Sequence, residues 1–131
     1  MNIVVNGTFD ILHRGHIEML EYAKSLGDYL LVCTDTDARV RQLKGPTRPI
    51  NNQQDRAFML QSLRCVDTVC FFSDEEELEQ IFTLYKPNIM VKGSDYKGKS
   101  IVGAHLCKEI KFYDLVNNYS TTNIIQRITD R

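Results

Sequence analysis

The stretch GTFDILHRGH, Gly7 to His16, sets two histidines three residues apart around an Arg-Gly pair. It follows the apolar run Ile3-Val4-Val5 after a single residue, Asn6, and directly precedes an amphipathic segment. The run before it is short, β-branched and unbroken, which predicts a central parallel strand buried on both faces. After it, Ile17, Leu20, Ala23 and Leu26 recur at helical spacing, so Gly15 and His16 should begin a helix, with Gly27 as a left-handed residue closing it. The two imidazoles therefore fall at a strand-to-helix junction. There, unpaired backbone N–H groups and the positive end of the helix dipole point at one spot, an arrangement suited to a phosphate.

Beyond that junction the chain keeps alternating. Tyr29 to Thr34 reads as a strand, Asp35 to about Leu43 as a short helix, and Gly45, Pro46 and Pro49 mark a loop. A helix from about Asn52 to Leu63, a strand over Thr68 to Phe72, a helix over Glu75 to Tyr85 ended by Pro87, and a buried strand over Ile89 to Val91 follow. The remainder is expected to hold a helix near Ile101 to Glu109, a strand near Lys111 to Leu115 and a last helix from Thr121. This pattern predicts an α/β, Rossmann-like open parallel sheet with helices on both faces, in a single domain over residues 1–131, binding ligands beyond the strands' carboxyl ends.

With 131 residues the chain is long enough for a core that needs no disulfides or metal. A formal charge of −1, with acids and bases mixed along the chain, lacks the basic footprint that nucleic-acid binding requires and favours a small anionic substrate. No apolar run approaches the length of a membrane span and no leader pattern is present, so a cytoplasmic protein is expected. Cys33, Cys65, Cys70 and Cys107 lack metal-ligand spacing and read as buried thiols. His105, with no acidic or cysteine partner at ligand spacing, reads as a surface residue.

Three more segments join the first: LKGPTRPINNQQDR from Leu43, VKGSDYKG from Val91 and STTNIIQRI from Ser120. In this order and spacing the four resemble the signatures of the HxGH nucleotidyltransferase superfamily, the cytidylyltransferase-like enzymes. The likeness is greatest to the adenylyltransferase domain of ADP-heptose synthases and next to glycerol 3-phosphate cytidylyltransferases. It covers nearly the whole chain. The resemblance implies transfer of a nucleotidyl group from a nucleoside triphosphate to a phosphorylated sugar or polyol, with Mg²⁺ carried by the triphosphate, and a homodimer. His13, His16, Lys44 and Asp10 would be catalytic, Asp10 lying near the acceptor phosphate or the metal. Gly7, Thr8, Phe9, Gly15, Arg56, Lys92, Gly93, Asp95, Ser120, Thr121 and Thr122 would bind the nucleotide, and no metal ligand is expected. Arg48 offers a second guanidinium suited to a phosphate or to fixing its loop.

Two departures from the family pattern stand out. Val116, Asn117, Asn118 and Tyr119 stand where the family has an Arg-Thr-Glu-Gly run, so the arginine of one expected phosphate contact is missing, while an asparagine such as Asn118 can accept the left-handed conformation of the family glycine, which would preserve the turn. The stretch between Lys97 and Asp114 is also shorter than in typical heptose enzymes. Other phosphate-handling classes fit less well: there is no G-x-x-x-x-G-K-[ST] loop and no G-x-G-x-x-G. An aminoacyl-tRNA synthetase would be far larger. A nucleotide-binding regulatory module remains the alternative from outside enzymology.

Overall fold

Ile3, Val4 and Val5 are completely buried because the strand that holds them has a neighbour on each side and helices above and below. Their side chains alternate between two cores, as the two-residue period of a strand requires. Ile3 and Val5 pack in a cluster with Met19, Leu20, Ala23 and Leu60, while Val4 packs in another with Phe72, Leu78 and Phe82.

The computed structural model describes residues 1–114 and 120–131. In chain order it contains β1 (Asn2–Gly7), α1 (Arg14–Ser25), β2 (Tyr29–Asp35), α2 (Asp37–Lys44), α3 (Gln53–Gln61), β3 (Thr68–Phe72), α4 (Glu75–Tyr85), β4 (Ile89–Gly93), β5 (Glu109–Tyr113) and α5 (Thr121–Thr129). The strands lie in the order β3-β2-β1-β4-β5 and every described pairing is parallel. The strand order reverses between β1 and β4. At such a switch point the connections leave toward opposite faces and open a crevice at the carboxyl ends. Here the opening is wide, because β1 and β4 are paired only at Ile3 with Ile89 and Val4 with Met90, whereas β1 runs on to Gly7 paired with β2 alone.

The Rossmann-like sheet and its strand-helix alternation are as the sequence implies, with local corrections. α1 begins at Arg14, one residue earlier than expected, because His13 is its N-cap. Gly27 is not left-handed; α1 closes through Leu26 in the right-handed region. What Gly27 provides is space, since a Cβ there would stand 2.6 Å from the Met1 carbonyl oxygen. Asp35 ends β2 instead of starting a helix, and Thr36 caps α2 by accepting a hydrogen bond from the Arg39 amide. The expected helix over Ile101 to Glu109 is a turn followed by a single 3₁₀ turn, Ala104–Leu106. Gly103, at φ 78°, interrupts it where the backbone presses on Phe82 of α4. β5 lies two residues earlier than read from sequence. Residues 116–119, where the chain departs from the family pattern, lie outside the described residues.

All four cysteines are free; Cys33 is buried and the other three are half-buried. The Cys33 and Cys70 sulfurs lie 3.2 Å apart across the β2–β3 pair. His105 is exposed, with Glu79 at 3.7 Å.

Candidate active site

His13 leaves the helix with an extended backbone and caps it by side chain, so its imidazole is fixed by the same bonds that start α1. Its Nδ1 accepts from the His16 amide at 3.4 Å, and His16 Nδ1 accepts from the His13 amide at 3.4 Å. This is a capping box in which both partners are histidines, in place of the usual Ser or Thr with Glu. With both Nδ1 atoms accepting, each neutral ring carries its proton on Nε2. The two rings stack, centroids 3.7 Å apart and planes 21° from parallel, and the buried Phe9 ring stands edge-on to His16 at 5.1 Å. Phe9 itself is held at φ 52°, an uncommon conformation for a bulky residue and one that concentrates at ligand-binding turns.

Burial, then the neighbouring His13, then Lys44 hold the His16 pKa down, to about 3. His13 is also lowered, by burial. Both imidazoles are therefore neutral Nε2–H donors near neutral pH until an anion arrives. Burial likewise holds Lys44 and Lys92 below the usual lysine range; Arg48 adds to the effect at Lys44, and Asp35 opposes it at both. The Lys92 ammonium sits 4.5 Å above the Tyr96 ring.

These groups line one cleft with two lobes, which share the Asn6-Gly7-Thr8-Phe9 turn, His16, Lys44, Lys92, Tyr96 and Thr121. The first lobe, about 290 Å³, is completed by His13, Gly93, Asp95, Ser120 and Thr122. Ser120 caps α5, accepting from the Asn123 amide at 2.9 Å, and the Thr121 hydroxyl donates to the Ile11 carbonyl at 3.3 Å. That bond draws the start of the last helix onto the segment before His13, so two helix N-termini bound one lobe. The second lobe, about 380 Å³, is lined further by Asp10, Asp35, Arg39, Phe72 and Ile101.

Of the residues expected at the site, thirteen line the cleft and two do not. Gly15 is buried in the first turn of α1, off the cleft wall. Arg56, expected to meet the nucleotide, is 1% exposed and spends all five donors within the protein. Its Nε donates to the Asn51 carbonyl, Nη1 to the Thr8 carbonyl and Thr34 hydroxyl, and Nη2 to the Asp35 carbonyl and Asp37 carboxylate, at 2.7–3.0 Å. It braces the ends of β1 and β2. Asp10 lines the second lobe, yet its carboxylate is taken up by the amides of Ile50 and Asn51 and by Arg48.

Sequence reasoning missed Asn6, Asp35 and Arg39. Asp35 and Arg39 pair at 3.0 Å, with the guanidinium over Phe72 at 5.4 Å. Asn6 Oδ1 is buried with no partner among the described residues. Their signal was positional: Asn6 and Asp35 are polar residues at the carboxyl ends of otherwise apolar strands, where an open parallel sheet places its ligands.

The cytidylyltransferase-like family model matches residues 4–127. The chain belongs to that family. The family model points to a nucleotidyltransferase as its catalytic class. The bifunctional protein HldE of Nitratiruptor sp. is 49% identical over 126 residues, 96% of this chain. HldE of Helicobacter pylori is 48% identical over the same share. The chain spans about a quarter of each relative, 27% of its length. Among solved structures, a lipopolysaccharide core biosynthesis protein from Thermoplasma volcanium superposes with a TM-score of 0.73 at 27% identity, covering 88% of this chain and 98% of that one. Pantothenate synthetase from Thermus thermophilus, at TM-score 0.64 and 17% identity, shares the fold; the match covers 94% of this chain and 60% of that one.

Proposed function

We propose that this chain transfers AMP from ATP to a sugar 1-phosphate, a heptose phosphate foremost, and releases pyrophosphate. The observation that carries the reading is the stacked His13–His16 pair at the start of α1, sharing one lobe with Lys44, Ser120, Thr121 and Thr122. An acceptor phosphate oxygen attacks the α-phosphorus in line; the bond from that phosphorus to the bridging oxygen of pyrophosphate breaks, and the leaving group takes the electron pair. Charge grows on the leaving group and the equatorial oxygens, so the reaction needs positioned donors and cations more than a nucleophile. His13 and His16 supply Nε2–H donors, Lys44 an ammonium, and the α5 N-terminus backbone N–H groups. Lys92, Gly93 and Asp95 border the ribose and base.

The second lobe suits the acceptor. Arg39 offers a fork for a phosphate, and the Asp35 carboxylate can accept from sugar hydroxyls. Mg²⁺ enters as part of the substrate, bound to the triphosphate; no cluster of three or more His, Cys, Asp or Glu that could hold a metal occurs among the described residues. The choice of adenine rests on the near-50% identity to HldE, an ADP-heptose synthase. Cytidylyl transfer to glycerol 3-phosphate is the second reading, carried by the family match. Two copies are proposed to pair, in the cytoplasm, with no nucleic acid or membrane as partner; no described helix is long and apolar enough to cross a membrane.

The test is pyrophosphate release with each of the four nucleoside triphosphates against heptose 1-phosphate and glycerol 3-phosphate. ATP with heptose 1-phosphate is expected to turn over. Turnover with CTP and none with ATP overturns the adenylyl assignment, and triphosphate binding without any pyrophosphate release overturns the enzyme.

A further inference from the structure

Asp10 sits three residues before His13 and is 2% exposed. A carboxylate aimed at a triphosphate would repel it, and this one has its lone pairs occupied. Oδ1 accepts from the Asn51 amide at 2.8 Å, and Oδ2 from the Ile50 amide at 2.9 Å and Arg48 Nε at 3.2 Å. The Asp10 carbonyl accepts from Asn51 Nδ2 at 2.9 Å. All four bonds reach the strap of residues 45–51 that leaves α2 at Lys44. Apolar packing contributes little to holding that strap: Ile50 is 55% exposed, and a side chain at Gly45, φ 99°, would meet only open space. The Arg56 bond to the Asn51 carbonyl fixes the strap's far end. Lys44, at its near end, lines both lobes of the cleft beside His16.

We propose that Asp10 is a positioning residue, which acts in the reaction through Lys44 by tying the strap to the histidine segment, and not on substrate or metal. The proposal rests on the nucleotidyl-transfer reading. Arg48 and the two amides neutralise the carboxylate, so it fixes the strap without competing with the substrate phosphates for Lys44. Loss of the tie lets the ammonium drift, and displacement of about 1 Å at such a site costs roughly 100-fold in rate.

The test is a double-mutant cycle on the full chain with Asp10→Asn and Lys44→Ala, read as kcat and KM for both substrates. Asp10→Asn is expected to lower kcat about 10- to 100-fold with the acceptor KM nearly unchanged, and to cost nothing further in the Lys44→Ala background. Multiplying losses, or an acceptor KM raised tenfold or more by Asp10→Asn alone, would mean direct contact with substrate and overturn the proposal. Hydrogen exchange supplies a readout independent of turnover. The Ile50 and Asn51 amides should exchange faster in Asp10→Asn while Val4 and Val5 stay protected, and unchanged exchange at Ile50 and Asn51 also overturns it. Arg48→Ala, which keeps the carboxylate, serves if Asp10→Asn does not fold, and should reproduce the coupling to Lys44 in weaker form. A wild-type chain that releases no pyrophosphate removes the functional reading, and the exchange result then decides the strap alone.

Discussion

The His16 imidazole makes stability depend on acid in a way one substitution can isolate. Its pKa is about 3 in the folded chain, through burial, His13 and Lys44 in that order, against about 6.5 for an unperturbed histidine. Between those values the unfolded chain binds a proton that the native chain refuses. Stability from this group is therefore complete above pH 6.5 and is lost as pH falls toward 3. At 1.36 kcal/mol per unit the whole effect is on the order of 4–5 kcal/mol, of which about 3 is gone by pH 4. His16→Asn keeps an acceptor for the His13 amide but cannot titrate. Urea unfolding of both proteins at pH 7, 5.5 and 4 should show the wild type losing about 3 kcal/mol more than the variant across that range, other acid-sensitive groups cancelling in the difference. Acid limbs that run parallel to within about 0.5 kcal/mol would refute the burial argument. The same logic couples binding to protons: at pH 5.5 a triphosphate beside His16 stabilises the imidazolium, so calorimetry in buffers of different ionisation enthalpy should detect more proton uptake by wild type than by His16→Asn.

Two further substitutions test the frame around the site. Arg56→Met leaves five acceptors without their donors and should destabilise by about 3–5 kcal/mol, a fall in the urea midpoint of roughly 2–3 M, with the rate per folded molecule changed far less; a rate loss above 100-fold in fully folded protein would return Arg56 to direct nucleotide contact. Gly103→Ala places a methyl 2.5 Å from Phe82 Cδ2 at φ 78° and should cost about 2–4 kcal/mol by the same measurement with KM unchanged; a cost under about 0.5 kcal/mol would show that the Phe82 ring moves aside freely.

The fold was legible wherever burial follows a simple period. The run over Ile3, Val4 and Val5 is buried on both faces, as is each strand it pairs with, so every long apolar segment announced its own kind. The segment from Ile101 to Cys107 misled for a physical reason. Ile101, Val102, Leu106 and Cys107 pack on the core that holds Phe82. Spacing that buries one side of a segment does not distinguish a helix from a turn wrapped over a single ring. Gly103 was the available sign, since an isolated glycine inside a helical pattern costs about 1 kcal/mol relative to alanine and weakens the case for a helix.

At the site, motif matching found the segments but could not say which polar groups were already committed. His13, His16, Lys44, Ser120, Thr121 and Thr122 converge because each lies at a helix end or strand end on one edge of the sheet, and ends are readable from capping and strand patterns. Arg56 lies within α3 and faces the core, so its guanidinium meets carbonyls exposed where β1 and β2 stop, and those acceptors leave it nothing for a ligand. Asp10 follows the same rule, as its three donors come from a strap forty residues away. Whether a charged residue binds substrate or holds the binders in place is decided by counting the partners it already has, and those partners are set by tertiary contact rather than by any local spacing.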